Sequence, residues 1–234
     1  MRKDTVTALL AVVVFTAVLG ILYPLAITGV SRLTMGDRAA GSLVEHDGRT
    51  VGSRLIGQDF RRPAVDAAGD PIEDAAGEPV LVADPRYFQS RPSVTGYAAD
   101  ATAFSNRGPN GVDTRDAIVA ELAAYLKLER PFSPGLTARD VPVDAVTDSA
   151  SGVDPQISVA NARIQSRRVA ASRRLPEARV RELVDTHTAV RALGVLGEPA
   201  VDVLALNLAL DREPAPRAAA PSADRTTTDP EALR

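Results

Sequence analysis

The sequence predicts an α+β protein with one N-terminal transmembrane helix, a single mixed extramembrane domain and a disordered C-terminal tail. Three observations carry this. An uncharged apolar run fills residues 5–31. Short turn-punctuated apolar segments then alternate with stretches of helical period. Beyond residue 211 the composition turns to Pro, Ala and Thr. The boundaries read as a short N-terminal tail at 1–4, the transmembrane helix at 5–31, the domain at 32–211 with an acidic insertion at 61–85, and the tail at 212–234.

The run TALLAVVVFTAVLGILYPLAITGV exceeds the roughly 20 helical residues that cover a hydrocarbon core of about 30 Å. A cleaved signal peptide has a shorter apolar core followed by a small-residue cleavage site, whereas this run carries Tyr23 and Pro24. An uncleaved anchor is the better reading. Pro24 removes a backbone donor and predicts a kink or an interfacial turn, with Tyr23 as an interfacial aromatic or part of a packing notch. Arg2 and Lys3 on one side face Arg32, Arg38 and Arg49 on the other, so charge counting leaves the topology open. A long domain translocates with little regard to such charges, which favours an extracytoplasmic domain.

Within the domain, Val44 and the segment 51–56 flank an HDGR turn and predict a hairpin. Residues 61–85 hold an imperfect duplication, AAGDP and AAGEP, in an acidic stretch that buries little and reads as a surface insertion. Tyr87, Phe88, Tyr97 and Phe104 sit in polar loop sequence, where aromatics serve as anchors in a pocket or interface. Ile118, Leu122, Tyr125 and Leu126 predict a helix over 113–128. The alternation at 141–147 predicts a strand. Ser158 is the expected N-cap of a helix over 159–175, and Pro176 separates it from a second helix carrying Val180, Leu183, Val184 and His187. The run 200–210 fits a buried strand or a helix equally.

Composition excludes much chemistry. With no Cys and only His46 and His187, disulfides, thiolate metal sites, cysteine nucleophiles and most imidazole chemistry fall away. Lys+Arg at 27 against Asp+Glu at 30 gives a net charge of −3 and argues against nucleic acid as a partner. There is no phosphate-binding GxxxxGK[ST] loop, HExxH or GxSxG motif, and the DKTGT signature of an aspartyl-phosphate pump is missing. His187 reads as a core or rim histidine and His46 as a solvated turn residue. Ser149, Ser151 and Asp154 form a hydroxyl-rich loop without an evident base. Arg163, Arg167 and Arg174 approach one helix face, either solvated or a docking surface for an acidic partner or phosphate.

Taken in order, GSL (41–43), GSRLIGQDF (52–60), YFQSRPS (87–93), SN (105–106), PVDAVTDSASGVDPQIS (142–158), QSRRVAASR (165–173) and LGEPAVDVLALNLALD (196–211) resemble the KdpC family, the C subunit of Kdp-type potassium-transporting ATPases. The segment YPLAITG (23–29) is similar to the family's Tyr-Pro-x-x-x-Thr-Gly element. The sequence departs from the family at MGDRAA (35–40), at the insertion, and at Asp202, where Asn is usual. The resemblance implies a non-catalytic accessory subunit of a high-affinity ATP-driven potassium import complex in a bacterial plasma membrane. Its implied partners are a channel-like potassium-translocating subunit, a P-type ATPase subunit, a small hydrophobic peptide subunit and the lipid bilayer. It also implies a catalytic chaperone that raises the ATPase subunit's affinity for ATP. No cofactor is assigned to the chain itself, and ATP enters only through the complex. No catalytic or metal-binding residue is assigned.

Partner-binding or structural roles are expected for Tyr23, Pro24 and Thr28 in the anchor, and for Tyr87, Phe88, Arg91, Pro92, Ser93, Ser105, Asn106, Ser149, Ser151, Gly152, Asp154, Pro155, Ser158, Gln165 and Arg168 in the domain. The competing readings are a membrane-tethered extracytoplasmic hydrolase using Ser149 or Ser151, and a module that binds solute near the pore.

Overall fold

The computed structural model describes residues 2–98 and 100–214. Of the tail expected to be disordered, residues 215–234 lie outside the described residues. The anchor is one helical rod of 38 residues, Arg2–Ala39, whose most apolar 18-residue stretch has mean hydropathy 2.6 and is not buried against the domain. It comprises α1 (Arg2–Ala17), a single π turn (Val18–Leu22) and α2 (Tyr23–Ala39). At about 1.5 Å per residue the rod exceeds a bilayer core by several turns.

Pro24 does not break this rod: Leu22 and Tyr23 keep helical backbone angles on its N-terminal side. Proline has no N–H for the carbonyl four residues back, Gly20, and crowds it. The preceding turn widens, and the Tyr23 N–H donates to the Val18 carbonyl five residues earlier. The sharp departure comes later, at Met35 (φ −148°, ψ 50°), and the helix ends where Gly41 and Ser42 enter the left-handed region.

The hairpin pairs β1 (Leu43–His46) with β2 (Arg49–Ser53). Asp47 and Gly48 both take positive φ, as a two-residue type I′ turn requires. Strands β3 (Arg61–Pro63) and β4 (Leu81–Ala83) pair antiparallel around the duplicated segment. Burial there is slight, and local hydrogen bonds supply the order. Asp66 Oδ1 accepts from the N–H groups of Ala68 and Asp70, and Asp74 Oδ1 repeats this with Ala76 and Glu78. These amides hold the Asp74 carboxyl below the ordinary carboxylate range. The eight-residue repeat closes a ring in which Ala64 donates to Val80, Val80 to Ile72 and Ile72 to Ala64, at 2.7, 2.8 and 2.9 Å.

Helix α3 (Val112–Glu129) occupies the predicted position. The strand expected over 141–147 is instead a 3-10 turn at Val143–Ala145. Pro142 supplies no strand donor, and Asp144 turns inward to accept from Ser158 N–H, Ser158 Oγ and Asn161 Nδ2. Next come β5 (Gln156–Ser158), α4 (Val159–Arg173), α5 (Glu177–Thr186) and β6 (Thr188–Ala189). The chain closes with β7 (Ala200–Asp202) and α6 (Val203–Asp211). The antiparallel sheet runs β5-β7-β6. Ser158 caps α4, its side chain accepting from the Asn161 N–H. Residues 200–210 hold both alternatives, a strand and then a helix. Asp202 makes the switch, with its carboxylate accepting from the Ala205 N–H at 2.9 Å. Asn and Asp cap about equally well, so the departure at this position leaves the local structure intact. The core lies between this sheet, α4, α5 and α6, centred on Phe88, Ile157, Val169, Val184 and Leu206.

Candidate docking site

The site grows from one buried cation. Arg168, on the inner face of α4, has no solvent exposure. Its guanidinium donates to Glu129 Oε1 (2.8 Å), to Gln165 Oε1 (2.8 Å), and to the carbonyls of Pro85 (2.8 Å) and Tyr87 (2.9 Å). The loop ahead of Phe88 is thus pinned by charge-assisted bonds in a dry environment. Glu129 is fully buried too. Its Oε2 has no hydrogen-bond partner among the described residues, and burial pushes its carboxyl up against the attraction of Arg168.

Side-chain amides then stand in for a strand neighbour. Asn207 accepts from the Phe88 N–H and donates to the Phe88 carbonyl, at 2.9 and 3.0 Å. Gln165 does the same for Gln89, at 2.7 and 3.1 Å, and also donates to Asn161. The Phe88 ring therefore enters the core with its backbone fully paired. Tyr87 packs on Phe60, lies under the Arg173 guanidinium at 4.6 Å, and its hydroxyl bonds Asp211 at 3.2 Å.

From Gln89 onward the loop clasps the 147–155 turn. Arg91 donates to the Thr147 carbonyl (3.0 Å) and to Asp154 Oδ2 (3.1 Å). The Ser149 N–H donates to the Pro92 carbonyl (2.8 Å), and Ser93 Oγ donates to the Gly152 carbonyl (2.6 Å). Tyr97 Oη closes the loop on the Arg91 carbonyl at 2.6 Å, and burial pushes its phenol up to about 12. Ser149 Oγ accepts from the N–H of Gly152 (3.0 Å), with longer contacts from Ser151 and Asp154, while Ser151 Oγ reaches Asp154 Oδ1 (3.3 Å). Gly152 (φ 76°) sits where a Cβ would meet Thr95 Oγ1 at 2.7 Å and the Ala103 carbonyl at 2.9 Å. A Cβ on Gly57 would overlap the Asp154 carbonyl. The Pro155 carbonyl accepts from the Val203 N–H and joins this turn to α6.

The structure thus brings together Tyr87, Phe88, Arg91, Pro92, Ser93, Ser149, Ser151, Gly152, Asp154, Pro155, Ser158, Gln165 and Arg168 as one polar latch. Ser105 and Asn106 stay outside it, exposed, with Asn106 in the left-handed region. Phe104 is likewise exposed rather than seated in a pocket. Tyr23, Pro24 and Thr28 lie on the exposed anchor. Neither Ser149 nor Ser151 is hydrogen-bonded to a histidine among the described residues. His46 faces Asp47 in the hairpin turn, and His187 Nδ1 contacts the Leu183 carbonyl. Sequence reasoning missed Asn207 and Glu129. Asn207 is the one polar residue in ALNLALD before its final Asp, a usable signal, whereas Glu129 looks like any surface charge at a helix end.

Beside the latch lies a cleft of 590 Å³ between α3 and the segments 58–61 and 89–93. Its wall mixes aromatic and charged groups, with Asp59, Glu121 and Asp148 against Arg61, Arg91 and Lys127. Burial, and then Asp148, raise the Glu121 carboxyl, which Arg61 opposes. Among the described residues no group of three or more His, Asp or Glu converges as a metal site.

An apolar N-terminal helix long enough to cross a bilayer, joined to an α+β domain built around a buried polar latch, describes a membrane-associated single-domain protein. Residues 5–212 match the family described as KdpC, the c chain of the K⁺-transporting ATPase. Over 214 residues the chain is 43% identical to the potassium-transporting ATPase KdpC subunit of Mycobacterium tuberculosis, covering 91% of this chain and 100% of that protein. The subunit of the same name from Methylorubrum extorquens is 44% identical over 210 residues, 87% of this chain and 94% of its own. That of Koribacter versatilis is 38% identical over 213 residues, 90% and 95% respectively. The chain belongs to the KdpC family and is an accessory subunit of a potassium-transporting ATPase complex.

Proposed function

We propose that this subunit assembles or stabilises the channel-like and P-type ATPase subunits, together with a small hydrophobic peptide subunit. It acts there as a catalytic chaperone that raises the ATPase subunit's affinity for ATP. The observation that supports this is the latch: most of the domain segments by which the chain resembles its relatives fold onto one another beside an open cleft, and the surface they brace is our candidate for docking. Tyr23, Pro24 and Thr28 pack against partner helices, with Pro24 and Thr28 one turn apart on the same face. Latch residues set the shape of the docking surface, and Ser105 and Asn106 extend it as an exposed loop.

The domain stands outside the cytoplasm, since a long domain following the anchor translocates with little regard to flanking charge. Its effect on ATP is then indirect, a coupling free energy transmitted through the complex. The chain has no phosphate-binding loop, and Lys3 and Lys127 are its only lysines. It carries no catalytic residues of its own, since the hydroxyls of Ser149 and Ser151 are spent on bracing their loop.

A mild-detergent pull-down of the tagged chain from potassium-starved cells tests the reading. Co-elution of a P-type ATPase and a channel-like membrane subunit, identified by mass spectrometry, is the expected result. Recovery of the chain without either subunit overturns it.

A further inference from the structure

Away from the latch, α4 and α5 present arginines to a second concavity of 460 Å³, walled on its far side by the loop that follows α3. Arg163 and Arg167 stand one turn apart on α4 and line it, Arg181 reaches it from α5, and Ser133 and Asp140 contribute from the loop. Three arginines therefore line the concavity beside one carboxylate. That carboxylate, Asp140, accepts at Oδ2 from the N–H and hydroxyl of Thr137, which hold it ionised.

The arginines are incompletely neutralised from outside the concavity. Glu177 is shared, at 2.6 Å from Arg181 and 3.4 Å from Arg167. Among the described residues Arg163 pairs with Asp185 alone, at 3.9 Å, with both side chains largely exposed. Ser133 is 96% buried by contrast with a relative exposure of 4%. Its hydroxyl accepts from Arg167 at 3.4 Å and donates to no group among the described residues.

We propose that this concavity binds a phosphate-type oxyanion, either free phosphate or the headgroup of an anionic phospholipid. Guanidinium forks match such oxygens with paired N–H groups, and the Ser133 hydroxyl adds a donor at the floor. Three arginines against one carboxylate in the lining of a small concave space favour a compact multivalent anion over an extended acidic peptide, whose carboxylates would need a longer basic track. The site is independent of the latch and of the accessory role.

The test uses the full-length chain in neutral-detergent micelles. Isothermal titration with inorganic phosphate is run at constant ionic strength against chloride, and in parallel with micelles doped with phosphatidylglycerol. Saturable binding of phosphate, of phosphatidylglycerol or of both supports the site, and the responding probe identifies the source. Arg163→Gln and Arg181→Gln each weaken that binding about tenfold, the loss expected for one charge-assisted contact. Arg163→Lys keeps the charge but loses the paired N–H fork, so it falls between wild type and Arg163→Gln. Arg163 is exposed and weakly paired, so its replacement leaves the fold intact, which a circular dichroism melt verifies. An absence of saturable heat from both probes overturns the proposal. So does equal affinity in the Arg→Gln variants, which marks an adventitious ion only, or binding of a polyglutamate peptide in their place.

Discussion

At the scale of single residues, burial decides what each polar group does. Glu129 and Arg168 are both sealed from solvent, so their pairing works against a large desolvation cost. Burial raises the Glu129 carboxyl above its ordinary 4.5, with Arg168 opposing. The folded chain then holds that proton more tightly than the unfolded chain. The resulting stability is fully present below 4.5 and is lost as pH rises through the folded value. Glu129→Gln removes this titration, so the melting temperature of the wild type minus that of the variant should fall as pH rises above 4.5. A difference that grows with pH contradicts the assignment. None of this was legible in the sequence, because a charge at a helix end next to Arg130 and Pro131 looks solvated until the fold buries it against Arg168. Asp202 shows the reverse: it departs from the family's usual Asn, yet its carboxylate caps α6 as an Asn side chain also can.

At the scale of elements, periodicity and capping predicted what local forces govern and failed where tertiary bonds intervene. The Asp-Gly turn, the stripe of α3, the Ser158 cap and the break at Pro176 were all readable because each is set by nearest neighbours. The expected strand at 141–147 was lost to Asp144, which serves three donors on Ser158 and Asn161, at the end of β5 and the start of α4. Pro24 was expected to kink the anchor or mark an interfacial turn, and a π turn just ahead of it keeps the helix continuous. The latch loops depend on glycine where a side chain has no room. Gly152→Ala would force a left-handed alanine, costing about 1–2 kcal/mol, and would press on Thr95 and Ala103, adding about 1–3 kcal/mol. Urea denaturation of the variant should show a stability loss of at least about 2 kcal/mol. An unchanged midpoint would mean that the turn relaxes freely and that the latch is not rigid.

At the scale of the whole molecule, the division into an apolar rod and an α+β domain was visible from hydropathy alone, while the latch was visible only as separated motifs. Tyr87 to Ser93 and Ser149 to Ser158 are more than 50 residues apart and carry no periodic signal linking them. What unites them is a set of hydrogen bonds across Arg91, Ser93 and Gly152 that only the folded chain assembles. Ser105 and Asn106 share the motif order but not the latch, so motif membership and spatial convergence are separate facts. The same separation applies to function, where family membership gives the complex and the geometry gives the surface that would dock in it.

The central claim is that this chain changes how its complex uses ATP without supplying a catalytic group. The most direct measurement is potassium-stimulated ATPase activity of the purified complex, as a function of ATP concentration, before and after this chain is stripped away and then restored. The account predicts a higher KM for ATP and weakened potassium stimulation without it, both reversed on adding it back. An unchanged KM with full potassium stimulation in the stripped complex would contradict it.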